Sequence, residues 1–207
     1  MNLKKLKLAE EDFFKDYPDG FYSPEMIEIG KKHKMDKHVE FAQEHFNIEA
    51  FKDIENTAEN MIKMVAKSSM VSIFEKPKFR DSVRSMTLEE KTRMVLGLKE
   101  ILHGNEEDGF DMLLNVLIPY KLAKWTLMTV FACYYRPTED LLFKPTTVKN
   151  IINYFELEDL VYKPRPSYDF FVRYRKEINT MKEHVDPSLR PSNAAFSGFL
   201  MMVMDKL

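Results

Sequence analysis

The chain has 207 residues, of which 44% are apolar and 31% charged, a composition that supports a folded core and excludes a disordered chain. Basic residues number 31 and acidic residues 33, a net charge of −2, so bulk charge does not drive binding to nucleic acid. The single cysteine, Cys133, excludes an internal disulfide and favours a reducing compartment. The basic residues of 1–7 are followed by acidic rather than apolar ones, so no secretion signal is expected. We expect one cytoplasmic domain over 1–207.

Glycine is scarce, with six residues in the whole chain. Pockets that bring the backbone close to phosphate need glycine, because a Cβ blocks the approach. Neither G-x-G-x-x-G nor G-x-x-x-x-G-K-[ST] occurs. The sequence therefore lacks the usual nucleotide-binding motifs, and we expect no cofactor.

Apolar residues recur with a helical period along most of the chain. A Ser-Pro pair at 23–24 predicts the start of a first helix, and apolar spacing predicts two more over 39–46 and 51–65. Residues 76–86 combine Pro77 with many charges and are predicted to be a connector. The first 22 residues are not assigned to a helix.

The clearest helix signal lies at Thr87 and Glu90, which match a capping box. An apolar stripe follows and ends at Gly104, where a terminating glycine is typical. An acidic turn at 105–109 precedes a further helix that breaks at Pro119. It lacks the Asp and Glu ligands of a calcium loop, so we interpret it as an acidic helix start that favours the macrodipole.

Two uncharged apolar runs, 125–135 and 194–204, are candidates for membrane spans. Each is 11 residues long, whereas a span needs about 20, so both are predicted to be buried core helices. No membrane partner is expected. Other helices are predicted after Lys144 and near Ser167 and Ser192.

A short repeat relates 139–145 to 158–164, which match at five of seven positions. Each segment is apolar at its middle and precedes a predicted helix. They are interpreted as paired extended pieces, as equivalent turns, or as chance resemblance. The predicted fold is all-α: one compact irregular bundle of eight or nine helices, with at most two short extended segments around 141–143 and 160–162.

Two groups of residues have spacings seen in metal sites. Glu100 and His103 lie three apart, but a di-iron bundle needs a second such pair, so a capping role for His103 is favoured. His38, His45 and Glu49 fall at helical intervals, but a solvated polar face is favoured over a metal site. No metal is expected. Cys133 lies in an apolar run without a nearby base and is predicted to be buried and inert.

The region 144–176 carries a local excess of basic residues interleaved with aromatic ones. Cations neutralise phosphates while exposed rings stack on bases, the combination that single-strand binders use. The segment 76–84 adds four more basic residues. The candidate nucleic-acid or anion-binding residues are Lys163, Arg165, Tyr168, Arg173 and Arg175. Ordinary solvated charge over a core is the competing interpretation.

Three functional hypotheses follow. The first is a non-enzymatic intracellular binding protein that buries an apolar patch near the C-terminal helix against a partner or a second copy. The second is a nucleic-acid-associated protein that uses 144–176 and 76–84. The third is an enzyme whose site is assembled from residues distant in sequence; no catalytic residue is assigned, and the sequence leans against this hypothesis.

Overall fold

The computed structural model describes residues 1–204, which form eleven α-helices and no β-strand. The helices are α1 (Leu3–Asp16), α2 (Pro24–His33), α3 (Met35–His45), α4 (Ile54–Lys67), α5 (Glu75–Ser85), α6 (Leu88–His103), α7 (Glu106–Leu117), α8 (Trp125–Tyr135), α9 (Pro145–Tyr154), α10 (Tyr168–Glu183) and α11 (Asn193–Met204). The all-α prediction is confirmed. The described part of the chain has two more α-helices than the upper limit expected.

The first additional helix is α1, which the sequence analysis left unassigned. Asn2 caps it by accepting a hydrogen bond from the Lys5 backbone N–H at 3.1 Å. Its buried residues, Leu6, Ala9 and Phe13, recur at helical spacing among many charges. The buried stripe of α1 consists of three residues, and the many charged residues around it hide the helical period of the apolar positions in the sequence.

The second additional helix is α5, and the prediction of a connector over 76–86 is wrong. Pro77 lies in the first turn of α5, where backbone N–H groups have no acceptor within the helix. A proline at this position therefore costs no helical hydrogen bond. Phe79 and Val83, four residues apart, bury one face of the helix. The prediction treats Pro77 as a helix breaker, whereas in the first turn proline is compatible with a helix.

Helix α8 lies at the centre of the molecule. Ten of its eleven residues are buried, and α3, α4, α6 and α7 all contact it. The prediction that 125–135 is a core helix is confirmed. Helix α11 buries one face, with Phe196, Phe199 and Leu200, near α1 and α9. Within residues 1–204, no helix combines the length and the apolar character needed to cross a membrane.

Helices α6 and α7 pack with their backbones in close contact at two glycines. A Cβ on Gly109 would lie 2.6 Å from the carbonyl oxygen of Gly97, so any side chain there would push the helices apart. The predicted capping box of α6 and the acidic first turn of α7 are both confirmed. The close approach fixes the position of Glu106, the first residue of α7.

Neither repeat segment forms a strand, and both are tied to α8. Thr129 Oγ1 accepts a hydrogen bond from the Phe143 backbone N–H at 3.0 Å. Trp125 Nε1 donates to the Lys163 carbonyl oxygen at 2.8 Å. The geometry agrees with two equivalent helix-entry segments held on one central helix.

Candidate functional site

The predicted basic residues of 144–176 do not form one surface. Lys163 and Arg165 are exposed in the loop before α10, and neither has a carboxylate within ion-pair distance in the described part of the chain. Arg173 lies on the outer face of α10, where it donates to the Asp159 carbonyl oxygen and pairs with Asp169 at 3.6 Å. Arg173 is therefore already engaged by its own neighbourhood.

The other two predicted residues, Tyr168 and Arg175, point toward Glu106. The Tyr168 hydroxyl donates to Glu106 Oε2 at 3.1 Å. Arg175 makes a two-pronged contact with the same carboxylate, at 2.6 and 2.7 Å. Its guanidinium also lies 4.6 Å from the centre of the Phe171 ring. These two side chains bind another part of the protein, which the sequence did not reveal.

Arg175 belongs to a closed ring of four charges that we call the ionic quartet: Glu106, Arg136, Asp140 and Arg175. Arg175 Nη1 contacts Asp140 Oδ1 at 2.6 Å, and Arg136 contacts Asp140 at 2.6 Å and Glu106 at 3.0 Å. Asp140 is fully buried. Each carboxylate thus meets both guanidiniums, and the ring joins the start of α7, the end of α8 and the middle of α10.

The protonation of the quartet follows from these contacts. Burial alone would raise the pKa of Glu106, but Arg175, Arg136 and Tyr168 outweigh it and hold that pKa below its ordinary value. Burial disfavours the Arg175 cation, but Glu106 and Asp140 outweigh that and raise the pKa of Arg175. Glu106 is therefore ionised and Arg175 protonated at neutral pH, and the ring sets two carboxylates against two guanidiniums.

A cleft of about 450 Å³ adjoins the quartet, with His103, Glu139 and Asn179 also in its wall. His103 Nε2 donates to the Phe46 carbonyl oxygen at 2.8 Å, which ties α6 to the end of α3. The guanidiniums in the wall are neutralised by the quartet's own carboxylates. The cleft therefore offers an external anion little net charge, and its contacts stabilise the packing of helices.

The aromatic residues of 144–176 mostly face the core. Four are buried: Phe155, Phe170, Phe171 and Tyr174. Three are half-buried: Tyr154, Tyr162 and Tyr168. A single strand needs exposed rings on which successive bases stack, and the buried rings cannot serve in that way.

The residues with metal-like spacing do not come together. Helix α3 ends at His45, so Glu49 lies beyond it, where it pairs with Lys52 instead. Glu100 accepts a hydrogen bond from the Asn105 backbone N–H at 3.0 Å. Residues 1–204 contain no group of three metal-ligating side chains.

Cys133 is buried, as predicted. Burial raises the pKa of its thiol to about 12, so the reactive thiolate does not form at neutral pH.

A second surface concentrates basic residues, and the sequence analysis pointed to only part of it, through Lys76 and Lys78 of segment 76–84. We call it the basic–apolar surface; it comprises segments 31–37 and 67–78. His33 Nδ1 and Ser69 Oγ are hydrogen-bonded at 2.9 Å, which joins the end of α2 to the loop after α4. The two segments contain seven lysines and two carboxylates.

Lysines from both segments lie around α3: Lys34 directly precedes the helix, and Lys67 Nζ lies 5.3 Å from the centre of the Phe41 ring. His38 is buried in α3, its ring 5.0 Å from that of Tyr134. Burial lowers the pKa of His38, and Lys67, Lys34 and Lys76 lower it further. Lys34, one helical turn before His38, and Lys67 and Lys76, from a distant segment, therefore all oppose protonation of this imidazole.

These converging lysines lack counter-charges. In residues 1–204, no carboxylate lies within 4.0 Å of Lys34, Lys67 or Lys76, whereas Lys31 pairs with Glu28. Lys67 does approach the Phe41 ring, at 5.3 Å from its centre. Unpaired ammonium groups held together raise the local potential and attract anions.

The same surface exposes apolar side chains. Ile73 and Phe74, adjacent in the loop before α5, are 72% and 82% exposed. Helix α2 buries Met26 alone among its residues and leaves Ile27 and Ile29 exposed. The first functional hypothesis expects an exposed apolar patch near α11. In the described part of that helix, no large apolar residue is exposed.

Comparison of the chain with models of known protein families, with curated proteins and with solved structures finds no match. The functional conclusion therefore depends on the geometry alone.

Proposed function

We propose that the protein is a non-enzymatic binding protein that attaches reversibly to an anionic partner through the basic–apolar surface. The observation that carries the proposal is geometric. Lys34 and Lys67 both lie at α3, and the His33–Ser69 hydrogen bond joins their two segments. Among the described residues, no carboxylate lies within 4.0 Å of Lys34, Lys67 or Lys76. Holding like charges together costs free energy in the isolated protein, and an anion relieves that cost.

A binding role is favoured over catalysis by what surrounds the polar groups. The arginines of the quartet are satisfied by internal carboxylates, and the thiol of Cys133 is buried. Neither group is placed as a nucleophile or as a free general base. As part of the proposal, the protein acts in the cytoplasm, in keeping with its single buried cysteine.

Retention on immobilised heparin tests the proposal. The chain as a whole carries a net charge of −2, so retention at low salt reports a local cationic surface. Wild type is expected to bind and to elute as salt rises. The triple variant Lys34→Gln, Lys67→Gln, Lys76→Gln is expected to elute at clearly lower salt, because fewer counterions are released on binding.

A matched variant removes three exposed charges from the other basic region: Lys163→Gln, Arg165→Gln and Lys176→Gln. It is expected to elute close to wild type. The proposal fails if wild type does not bind at low salt. If the second triple variant loses retention and the first keeps it, the binding surface is 144–176, as the nucleic-acid hypothesis requires.

A further inference from the structure

We infer that the anionic partner is the surface of a phospholipid bilayer, with Ile73 and Phe74 inserted among the lipids. This inference rests on the proposed function and specifies its partner. It depends on one juxtaposition: two adjacent, strongly exposed apolar side chains lie in the loop between α4 and α5. The lysines on either side of that loop, Lys67 and Lys76, have no carboxylate within 4.0 Å among residues 1–204.

The shape of the apolar pair favours insertion over docking in a groove. Ile73 and Phe74 follow α4 and precede α5, and they are the two most exposed large apolar residues of the loop. Val71 in the same loop and Phe79 in α5 are buried, which anchors the chain on both sides of the exposed pair. Side chains as exposed as Ile73 and Phe74 bury most of their area when they insert between lipids, at the boundary between headgroups and acyl chains.

The charges match an anionic headgroup layer. Every basic group in segments 31–37 and 67–78, apart from His33, is a lysine ammonium. Juxtamembrane lysines gain affinity near anionic lipids without requiring a fixed geometry for each headgroup. Arg80, the next arginine along α5, is paired with Asp81 at 2.7 Å and does not add to the surface.

Helix α2 leads into the basic–apolar surface at its C-terminal end, where His33 is hydrogen-bonded to Ser69. It carries Ile27 and Ile29 exposed, and its last turn holds Lys31, Lys32 and His33. The two isoleucines are two residues apart and therefore lie on opposite sides of the helix, so α2 contributes its basic last turn to the surface rather than an apolar face. The sequence analysis expected no membrane partner, because neither apolar run is long enough to span a bilayer. The inference departs from that expectation, since peripheral attachment needs no spanning helix.

A nucleic acid fits the same surface less well. Its phosphates would satisfy the lysines, and Phe74 would stack on one base. Among the described residues, however, Phe74 has no aromatic ring beside it with which to form a continuous platform. Ile73 has no aromatic ring and cannot stack on a base.

Sedimentation with phospholipid vesicles tests the inference. Wild type is expected to sediment with vesicles of phosphatidylcholine containing one third phosphatidylserine, and much less with phosphatidylcholine alone. Ile73→Ser with Phe74→Ser is expected to weaken binding at least about tenfold, from the apolar area no longer buried. The lysine triple variant is expected to weaken it on the order of 100-fold.

Matched controls separate insertion from general apolar loss. Val161→Ser with Leu8→Ser removes two exposed apolar side chains elsewhere, 72% and 53% exposed, and is expected to leave vesicle binding unchanged. In a Phe74→Trp variant, the emission of the new tryptophan is expected to shift to shorter wavelength with acidic vesicles, whereas buried Trp125 in wild type is expected not to respond.

The outcomes are distinguishable. Retention on heparin without sedimentation by acidic vesicles overturns the bilayer inference and leaves the proposed function standing. Vesicle binding that survives Ile73→Ser with Phe74→Ser also overturns the inference. Tighter binding to a single-stranded oligonucleotide than to vesicles of equal phosphate concentration identifies a nucleic-acid partner instead. Absence of binding to heparin overturns both proposals.

Discussion

The molecule has two regions rich in basic residues, and the structure surrounds their charges differently. In 144–176, Arg173 and Arg175 are paired with carboxylates, and most of the aromatic rings are buried. In the basic–apolar surface, lysines converge without carboxylate partners in the described residues, and Ile73 and Phe74 are exposed. Interleaved charges and rings are therefore not evidence of a binding surface. The deciding factor is whether other segments supply the counter-charges.

The largest expected effect concerns the ionic quartet. Arg175→Met should destabilise the fold by about 3–5 kcal/mol, because it leaves buried Asp140 and half-buried Glu106 short of positive charge. The measurement is the free energy of unfolding in urea. Arg173→Met, two residues away on the exposed face, should cost under about 0.5 kcal/mol. Equal losses would show that the two arginines are not in different environments.

The two regions should also differ in how stability depends on acid. The pKa of Glu106 is lowered in the fold, so its contribution is complete above the unfolded value of 4.5 and is lost as pH falls through the folded pKa. The pKa of His38 is also lowered, so stability starts to fall below the unfolded value of 6.5. Urea unfolding from pH 7.5 to 3.5 should show both phases.

Single variants assign these phases. His38→Gln should remove the loss that begins near pH 6.5 and keep the more acidic one. Arg175→Met should reduce the loss below pH 4.5 and keep the one near 6.5. If both variants retain both phases, other groups titrate in these ranges and the two assignments are wrong.

The smallest expected effect is a shift in one pKa. In the triple variant Lys34→Gln, Lys67→Gln, Lys76→Gln, the pKa of His38 should rise, because three ammonium groups that oppose its protonation are removed. Proton NMR of the imidazole measures this directly. Removing Lys163, Arg165 and Lys176 should leave it where it was. An unchanged pKa in the first variant would mean that the lysines do not converge.

The sequence predicted what depends on local spacing. The capping box at Thr87 and Glu90, the buried run 125–135 and the all-α class follow from helical periods and helix-start residues. The errors at α1 and α5 also arise from local patterns. The buried stripe of α1 is short, and Pro77 of α5 is treated as a helix breaker although it lies in the first turn.

The contacts of the two charged regions could not be predicted from the sequence, because they join residues far apart in the chain. Arg175 meets Glu106 across 69 positions of the chain, and His33 meets Ser69 across 36. The acidic first turn of α7 was interpreted as a match to the macrodipole, and one of its carboxylates also neutralises two arginines. The lysines of 31–37 and of 67–78 are unremarkable separately and form a cationic surface only when the fold joins them.

Chemical labelling of lysine amines, with and without acidic vesicles, compares both regions in a single experiment. Mass spectrometry reports the extent of modification at each lysine. We predict that vesicles protect Lys34, Lys67 and Lys78, while Lys149, Lys163 and Lys176 are modified to the same extent as in free protein. Protection of 149–176 with none at 34–78 would contradict the assignment of the basic–apolar surface as the binding surface.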